Sequence, residues 1–296
     1  MKKLLFSQRN NERHWVGDGF PVRSIFSYHN IAKDISPFLL MDYAGPANFS
    51  PSDKKRGVGS HPHRGFETVT IVYSGEVEHR DSAGGGGIIQ DGDVQWMTAA
   101  SGLVHEEFHG PVYSKQGGPF EMVQLWVNLP KKDKMTKPRY QGIKNEDIPK
   151  LDLPDGAGSI RVIAGRYESA QGPAITFTPI NLWDLKLNAG KSSTYTVPAG
   201  HTAAIFVLSG EVQVESGETI KEAELGVLDP ENATFTIKAL ADSKVLFMGG
   251  EPIREPVVGY GPFVMNSEAD IHQAFMDFQQ GKMGTIGDIE GSDHGH

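Results

Sequence analysis

The 296-residue chain contains no cysteine, which removes disulfides, thiolate metal ligands and cysteine nucleophiles together. Any metal it binds must sit on nitrogen and oxygen ligands. Basic residues are also scarce: 28 Lys and Arg stand against 37 Asp and Glu, a formal net charge of −9, and no long basic run offsets it. That balance argues against an electrostatically driven grip on nucleic acid. No apolar stretch approaches the roughly 18 residues of a membrane span. The opening Met1-Lys2-Lys3-Leu4-Leu5-Phe6 is too short in apolar residues for a signal-peptide core. The expectation is a cytoplasmic protein with neither a membrane nor a direct nucleic-acid partner.

What is abundant is punctuation. Thirty-five Gly and 18 Pro separate short runs rich in β-branched and aromatic residues, such as 66–73, 121–128, 202–208 and 244–248, as a sandwich or barrel requires. One phrase occurs twice: an apolar run leads into Ser74-Gly75-Glu76-Val77, and another into Ser209-Gly210-Glu211-Val212. Each copy is followed by a Gly/Glu-rich connection and a further strand, so the chain reads as an internal duplication. The polar stretch 131–156, with Pro138, Pro149 and Pro154, is the connecting segment. It divides the chain into residues 1–140 and 141–296. A single helical pattern covers 267–280, with Ser267 as N-cap, Glu268 and Asp270 in the first turn and Gly281 as the stop. The tail 284–296 is poor in apolar residues and is expected to be mobile. The run Gly84 to Gly87 lacks a following Lys-Ser or Lys-Thr, so it reads as a mobile hairpin tip, not a phosphate loop.

The chemistry concentrates in two short segments. In Ser60-His61-Pro62-His63-Arg64-Gly65-Phe66-Glu67, an extended backbone turns His61 and His63 to the same side. In Gly102-Leu103-Val104-His105-Glu106-Glu107-Phe108-His109 the same alternation puts His105, Glu107 and His109 on one face. His109 precedes Gly110-Pro111, a turn signal, and is placed at a rim or in solvent. Three imidazoles and a carboxylate leave two positions free on a six-coordinate ion, which suits a divalent transition metal with room for substrate or O₂. His14, His29, His79, His201 and His272 are scattered and are left out of the site.

These motifs resemble those of the cupin superfamily and, more narrowly, of pirin. The match runs through His61-Pro62-His63-Arg64-Gly65-Phe66-Glu67-Thr68-Val69, Gly92-Asp93-Val94-Gln95-Trp96-Met97-Thr98-Ala99, Gln124-Leu125-Trp126-Val127-Asn128-Leu129, Gly249-Gly250-Glu251-Pro252-Ile253-Arg254-Glu255-Pro256 and Gly261-Pro262-Phe263-Val264-Met265-Asn266. It covers nearly the whole chain. The resemblance implies an all-β bicupin: two antiparallel jelly-roll barrels with a short C-terminal helix, and a metal in the first barrel only. It places the metal ligands on His61, His63, His105 and Glu107. Glu67, a ligand in many cupins, then supports the site from behind or pairs with Arg64. Ala100 stands where most cupins have proline, a departure that pirins share.

The resemblance also implies an activity, ring-opening dioxygenation of a flavonol such as quercetin. Glu107 would be the catalytic base for the 3-hydroxyl, O₂ the co-substrate, and carbon monoxide and a depside the products. One divalent transition metal is implied, Fe(II) foremost, with Cu, Ni, Co, Mn and Zn also compatible. Phe66, Phe108 and Trp126 are candidate pocket walls. Two other readings remain open at this level: an iron-dependent redox-sensing protein that binds a regulatory protein partner, and a metal-dependent isomerase or decarboxylase.

Overall fold

The computed structural model describes residues 1–287. The duplication is visible in it strand for strand. In the first half, a seven-stranded sheet runs in the order Arg139–Ile143, Val94–Thr98, Phe66–Ser74, Gly118–Asn128, Phe38–Phe49, Phe20–Phe26, His14–Val16. A four-stranded sheet, Gly57–His63, Leu103–His109, Val77–Asp81, Gly86–Ile89, lies across it. The second half repeats both, with a seven-stranded sheet around Thr202–Ser209 and Ser243–Gly250 and a four-stranded one of Ser192–Thr196, Thr234–Ala239, Glu211–Val214 and Thr219–Lys221. Each Ser-Gly-Glu-Val phrase marks the point where the chain leaves the large sheet for the small one, with a glycine at positive φ, Gly75 or Gly210, in the turn.

The halves are not separable beads. The strand Leu4–Arg9 pairs with Glu224–Leu228 at the edge of the second half's large sheet, and Arg139–Ile143, which straddles residue 140, closes the edge of the first. The two large sheets meet face to face. Their facing side chains, among them Ile25, Tyr43, Val69, Leu125 from the first and Leu182, Phe206, Leu225, Leu246 from the second, make one continuous buried core. The other face of each large sheet points into its own barrel, and there the two halves differ. The second barrel is filled by apolar side chains, including the stacked rings of Trp183, Phe247, Phe235 and Tyr195. Among the described residues, that packing leaves no polar cluster within it. The first barrel instead encloses histidines, glutamines and a glutamate beside a smaller apolar cluster.

The C-terminal helix is present as Glu268–Gln279, and Ser267 caps it by accepting a hydrogen bond from the Asp270 amide. It packs against Val104, Phe263 and Met265, on the outside of the first barrel. Part of the tail expected to be mobile, 288–296, lies outside the described residues. Among the described residues no helix is long and apolar enough to cross a membrane.

Candidate metal centre

The strand Gly57–His63 presents His61 and His63, and its neighbour Leu103–His109 presents His105 and Glu107. Register brings them together: His105 lies directly opposite His61, and a one-residue shift follows before Glu107. The three imidazole centroids are 4.3 Å (His61 to His105), 4.9 Å (His61 to His63) and 4.9 Å (His63 to His105) apart. A nitrogen from each lies within 4.8 Å of the other two. Glu107 is not part of that tight triple, although its carboxylate lies within 4.8 Å of ring nitrogens of His105 and His79.

The ring nitrogens are sorted by their partners. His61 Nδ1 is 2.8 Å from the Gly59 carbonyl and His63 Nδ1 is 3.2 Å from the Pro262 carbonyl. A carbonyl only accepts, so both Nδ1 atoms donate, and in the neutral form of each ring the lone pair is on Nε2. Burial, reinforced by His61, keeps His63 neutral down to about 3, and burial also drives His105 well below its ordinary value. Nε2 of His105 is buried with no hydrogen-bond partner. An orphaned buried nitrogen among neutral imidazoles, next to a carboxylate, is the donor set that a first-row divalent metal takes. The residues therefore fit the metal that the sequence motifs imply.

Glu107 is held from behind. Gln95 donates to its Oε1 at 2.6 Å and Gln124 to its Oε2 at 3.0 Å. Gln95 in turn donates to Thr70 and accepts from the Tyr140 hydroxyl. Each glutamine is a polar residue flanked by apolar neighbours, Val94 and Trp96 or Val123 and Leu125, a signal weaker than any motif but present in the sequence. Tyr140 also stacks on His79, whose ring lies 5.2 Å from that of His105. His79, left out of the site on sequence grounds, is thus fully buried beside it. Its clue was alternation: His79 and Asp81 occupy i and i+2 of one strand.

Further expectations are corrected. His109 is not at a rim; it is 1% exposed, donates from Nε2 to the Gly19 carbonyl at 2.8 Å and packs among Phe20, Phe49, Tyr113 and Phe120. Arg64 pairs with Asp277 of the C-terminal helix at 2.9 Å, not with Glu67. Glu67 accepts instead from Thr98 at 2.7 Å, and burial pushes its carboxyl up to about 7. Of the aromatic walls, Phe66 and Trp126 flank His63 with ring centroids at 5.2 Å each, whereas Phe108 alternates to the outer face and lies under Lys55. At the Gly84 tip the amides of Ala83 and Gly85 donate to Asp81 Oδ1, both at 2.9 Å.

A cavity of about 30 Å³ opens beside His61, Glu107 and Gln124, walled by Phe20, Val22, Val58 and Met122. A larger cavity of about 290 Å³ lies between the barrels, lined by Tyr73, Arg161 and Asp184, and none of His61, His63, His105 or Glu107 reaches it. Of the two, only the smaller is lined by residues of the histidine–carboxylate cluster, His61 and Glu107.

Comparison with known proteins agrees with this architecture. Residues 19–127 match the family model Pirin, and 182–284 match the Pirin C-terminal cupin domain. A Pseudomonas aeruginosa protein named "Putative quercetin 2,3-dioxygenase" is 56% identical over 282 residues, spanning 95% of this chain and 98% of that one. The crystal structure of a quercetin 2,3-dioxygenase from Acinetobacter baumannii superposes with a TM-score of 0.94 at 53% identity, covering 97% of this chain and 100% of that one. A bacterial pirin of Escherichia coli, solved in complex with nickel(II), shares the fold with a TM-score of 0.62 at 22% identity, over 84% of this chain and 99% of that one.

Proposed function

Since the chain belongs to the pirin family and has its bicupin fold, we propose that it is a metal-dependent quercetin 2,3-dioxygenase-type enzyme, opening the heterocyclic ring of a flavonol with O₂ and releasing carbon monoxide. The observation that carries this reading is the clustering of three imidazoles, His63 and His105 kept neutral by burial, beside the Glu107 carboxylate. His61, His63 and His105 would hold the metal through Nε2, with Glu107 as the fourth ligand; Fe(II) is the foremost candidate. The ion would supply Lewis acidity toward the substrate hydroxyl and a route for electrons toward O₂.

The remaining work falls to side chains. Glu107 is the group placed to take the proton of the 3-hydroxyl, and the amides of Gln95 and Gln124 hold its two oxygens in position while it does so. Gln124 and His61 both line the 30 Å³ cavity, which has room for about one water. A flavonol is far larger, so its binding requires the cavity to widen. Phe66 and Trp126, stacked at 4.2 Å, back His63 with an apolar surface and keep water from its ring.

The reading is tested by metal analysis, then O₂ uptake and carbon monoxide release on quercetin after reconstitution with iron, copper, nickel, cobalt or manganese. Metal-dependent uptake with matching carbon monoxide is the expected result. His61→Ala and His105→Ala should abolish tight metal binding and leave folding largely intact; stoichiometric metal in both variants would refute the ligand set. Glu107→Gln should lose more turnover than metal, on the order of a hundredfold or more for a base in this role. One bound metal with no turnover of any flavonol would shift the reading to a metal-responsive binding protein.

A further inference from the structure

His79 and Asp81 lie outside the three-imidazole cluster, on the strand Val77–Asp81 that pairs with Leu103–His109. The register sets Asp81 opposite His105 and His79 opposite Glu107, and alternation turns both side chains into the barrel, where they are buried. Their contacts form a chain: His79 Nε2 stands 3.1 Å from Asp81 Oδ2, and His79 Nδ1 stands 3.3 Å from His105 Nδ1. Tyr140 stacks on the His79 ring at 5.0 Å between centroids and fixes its plane.

The direction of each bond follows by elimination. A carboxylate only accepts, so His79 Nε2 carries a proton, and of the two Nδ1 atoms that face each other at 3.3 Å only one can donate. His105 Nδ1 must be the donor, which leaves the lone pair of His105 on Nε2. The reverse assignment puts a proton on His105 Nε2, a buried atom with no acceptor in reach. We infer that Asp81 and His79 are positioning residues that hold His105 in the tautomer whose Nε2 can ligate a divalent transition metal. The inference rests on the metal-binding reading above and adds to it the part of the chain that prepares one ligand before metal arrives.

Asp81 is itself anchored. Its Oδ1 accepts from the amides of Ala83 and Gly85, and the turn closes over it tightly: a Cβ at Gly85 would lie 2.4 Å from Asp81 Oδ2. This anchoring gives Asp81→Asn a definite direction. Two amides claim the Oδ1 position, so the carbonyl oxygen of the new side chain belongs there and its NH₂ faces His79 Nε2. A donor at that point inverts the His79 tautomer and, through it, that of His105. An isosteric Asp→Asn change imposes the wrong histidine tautomer in serine proteases by the same logic.

In metal-free protein, long-range ¹H–¹⁵N NMR of the histidine side chains should find His105 protonated on Nδ1 in the wild type and on Nε2 in Asp81→Asn. Competition titration with Ni(II) should show affinity falling about 10- to 100-fold in Asp81→Asn. His79→Leu should fall likewise, whereas His79→Asn, whose amide oxygen can accept from His105 Nδ1, should recover most of the loss. A wild-type His105 protonated on Nε2 overturns the inference, and so does undiminished Ni(II) affinity in both Asp81→Asn and His79→Leu. The tautomer is read without metal, so a wild type that binds no Ni(II) sinks the metal-centre reading while the NMR result still decides the relay. Should Asp81→Asn fail to fold, the wild-type tautomer and the two His79 variants decide between support and refutation.

Discussion

Glu67 shows what burial does to a carboxyl group in the first barrel. It is 1% exposed, accepts from Thr98, and has Arg139 only at 3.9 Å, so desolvation dominates and its carboxyl titrates at about 7. Between about 4.5 and about 7 the folded chain therefore keeps a proton that the unfolded chain has lost. Stability contributed by this group is full below that window, falls as pH rises through it and levels off above. Glu67→Gln should flatten the metal-free protein's Tm-against-pH curve across the window; an unchanged slope would show that the group ionises without cost. At this scale the pairing of His61 with His63 on one face of their strand was legible because alternation in an extended segment needs no tertiary information. The placement of His79, Gln95 and Gln124 was not: no motif marks them, and only the pairing of their strands shows what each faces. His109 was misplaced for the same reason, since a following Gly-Pro says where the chain turns and nothing about what covers the ring.

At the scale of elements, the C-terminal helix is tied to the site by one buried ion pair. Arg64, next to His63, donates to Asp277 at 2.9 Å and to the Ser101 carbonyl at 2.7 Å. Asp277 also accepts from Lys282 and Gln273, and these donors, Lys282 first and Arg64 next, hold its carboxyl well below the usual range. A depressed carboxyl contributes stability above its unfolded pKa and loses it as pH falls, so the helix should stay docked at every pH above about 4. Asp277→Asn should raise amide hydrogen exchange in 268–279 relative to the wild type while the strands of the second barrel keep their protection. Equal exchange in both would mean that the apolar contacts of Ile271 and Ala274 suffice. The helix itself was readable from Ser267, the acidic first turn and the apolar spacing. Its docking partner was not, because a bond between residues 64 and 277 leaves no local trace.

For the molecule as a whole, the shared core between the large sheets should make the two barrels unfold together. Leu246→Ala, in the centre of that core and fully buried, should cost about 2–5 kcal/mol and shift a single calorimetric transition. Two separated transitions would show that the barrels are energetically independent. The duplication was legible because a repeated turn phrase survives in the sequence. The exchange of the first strand was not, since Leu4-Leu5-Phe6-Ser7-Gln8-Arg9 fits either sheet equally well by pattern. That exchange has a bearing on synthesis. Leu4 pairs with Leu228, so this strand waits for a partner made much later in synthesis. Until then Leu4–Arg9 is an unpaired strand, and the sheet it completes closes by one of the longest-range contacts in the chain. The second barrel can therefore mature only after translation of its own half, with the strand Leu4–Arg9 returning to seal it.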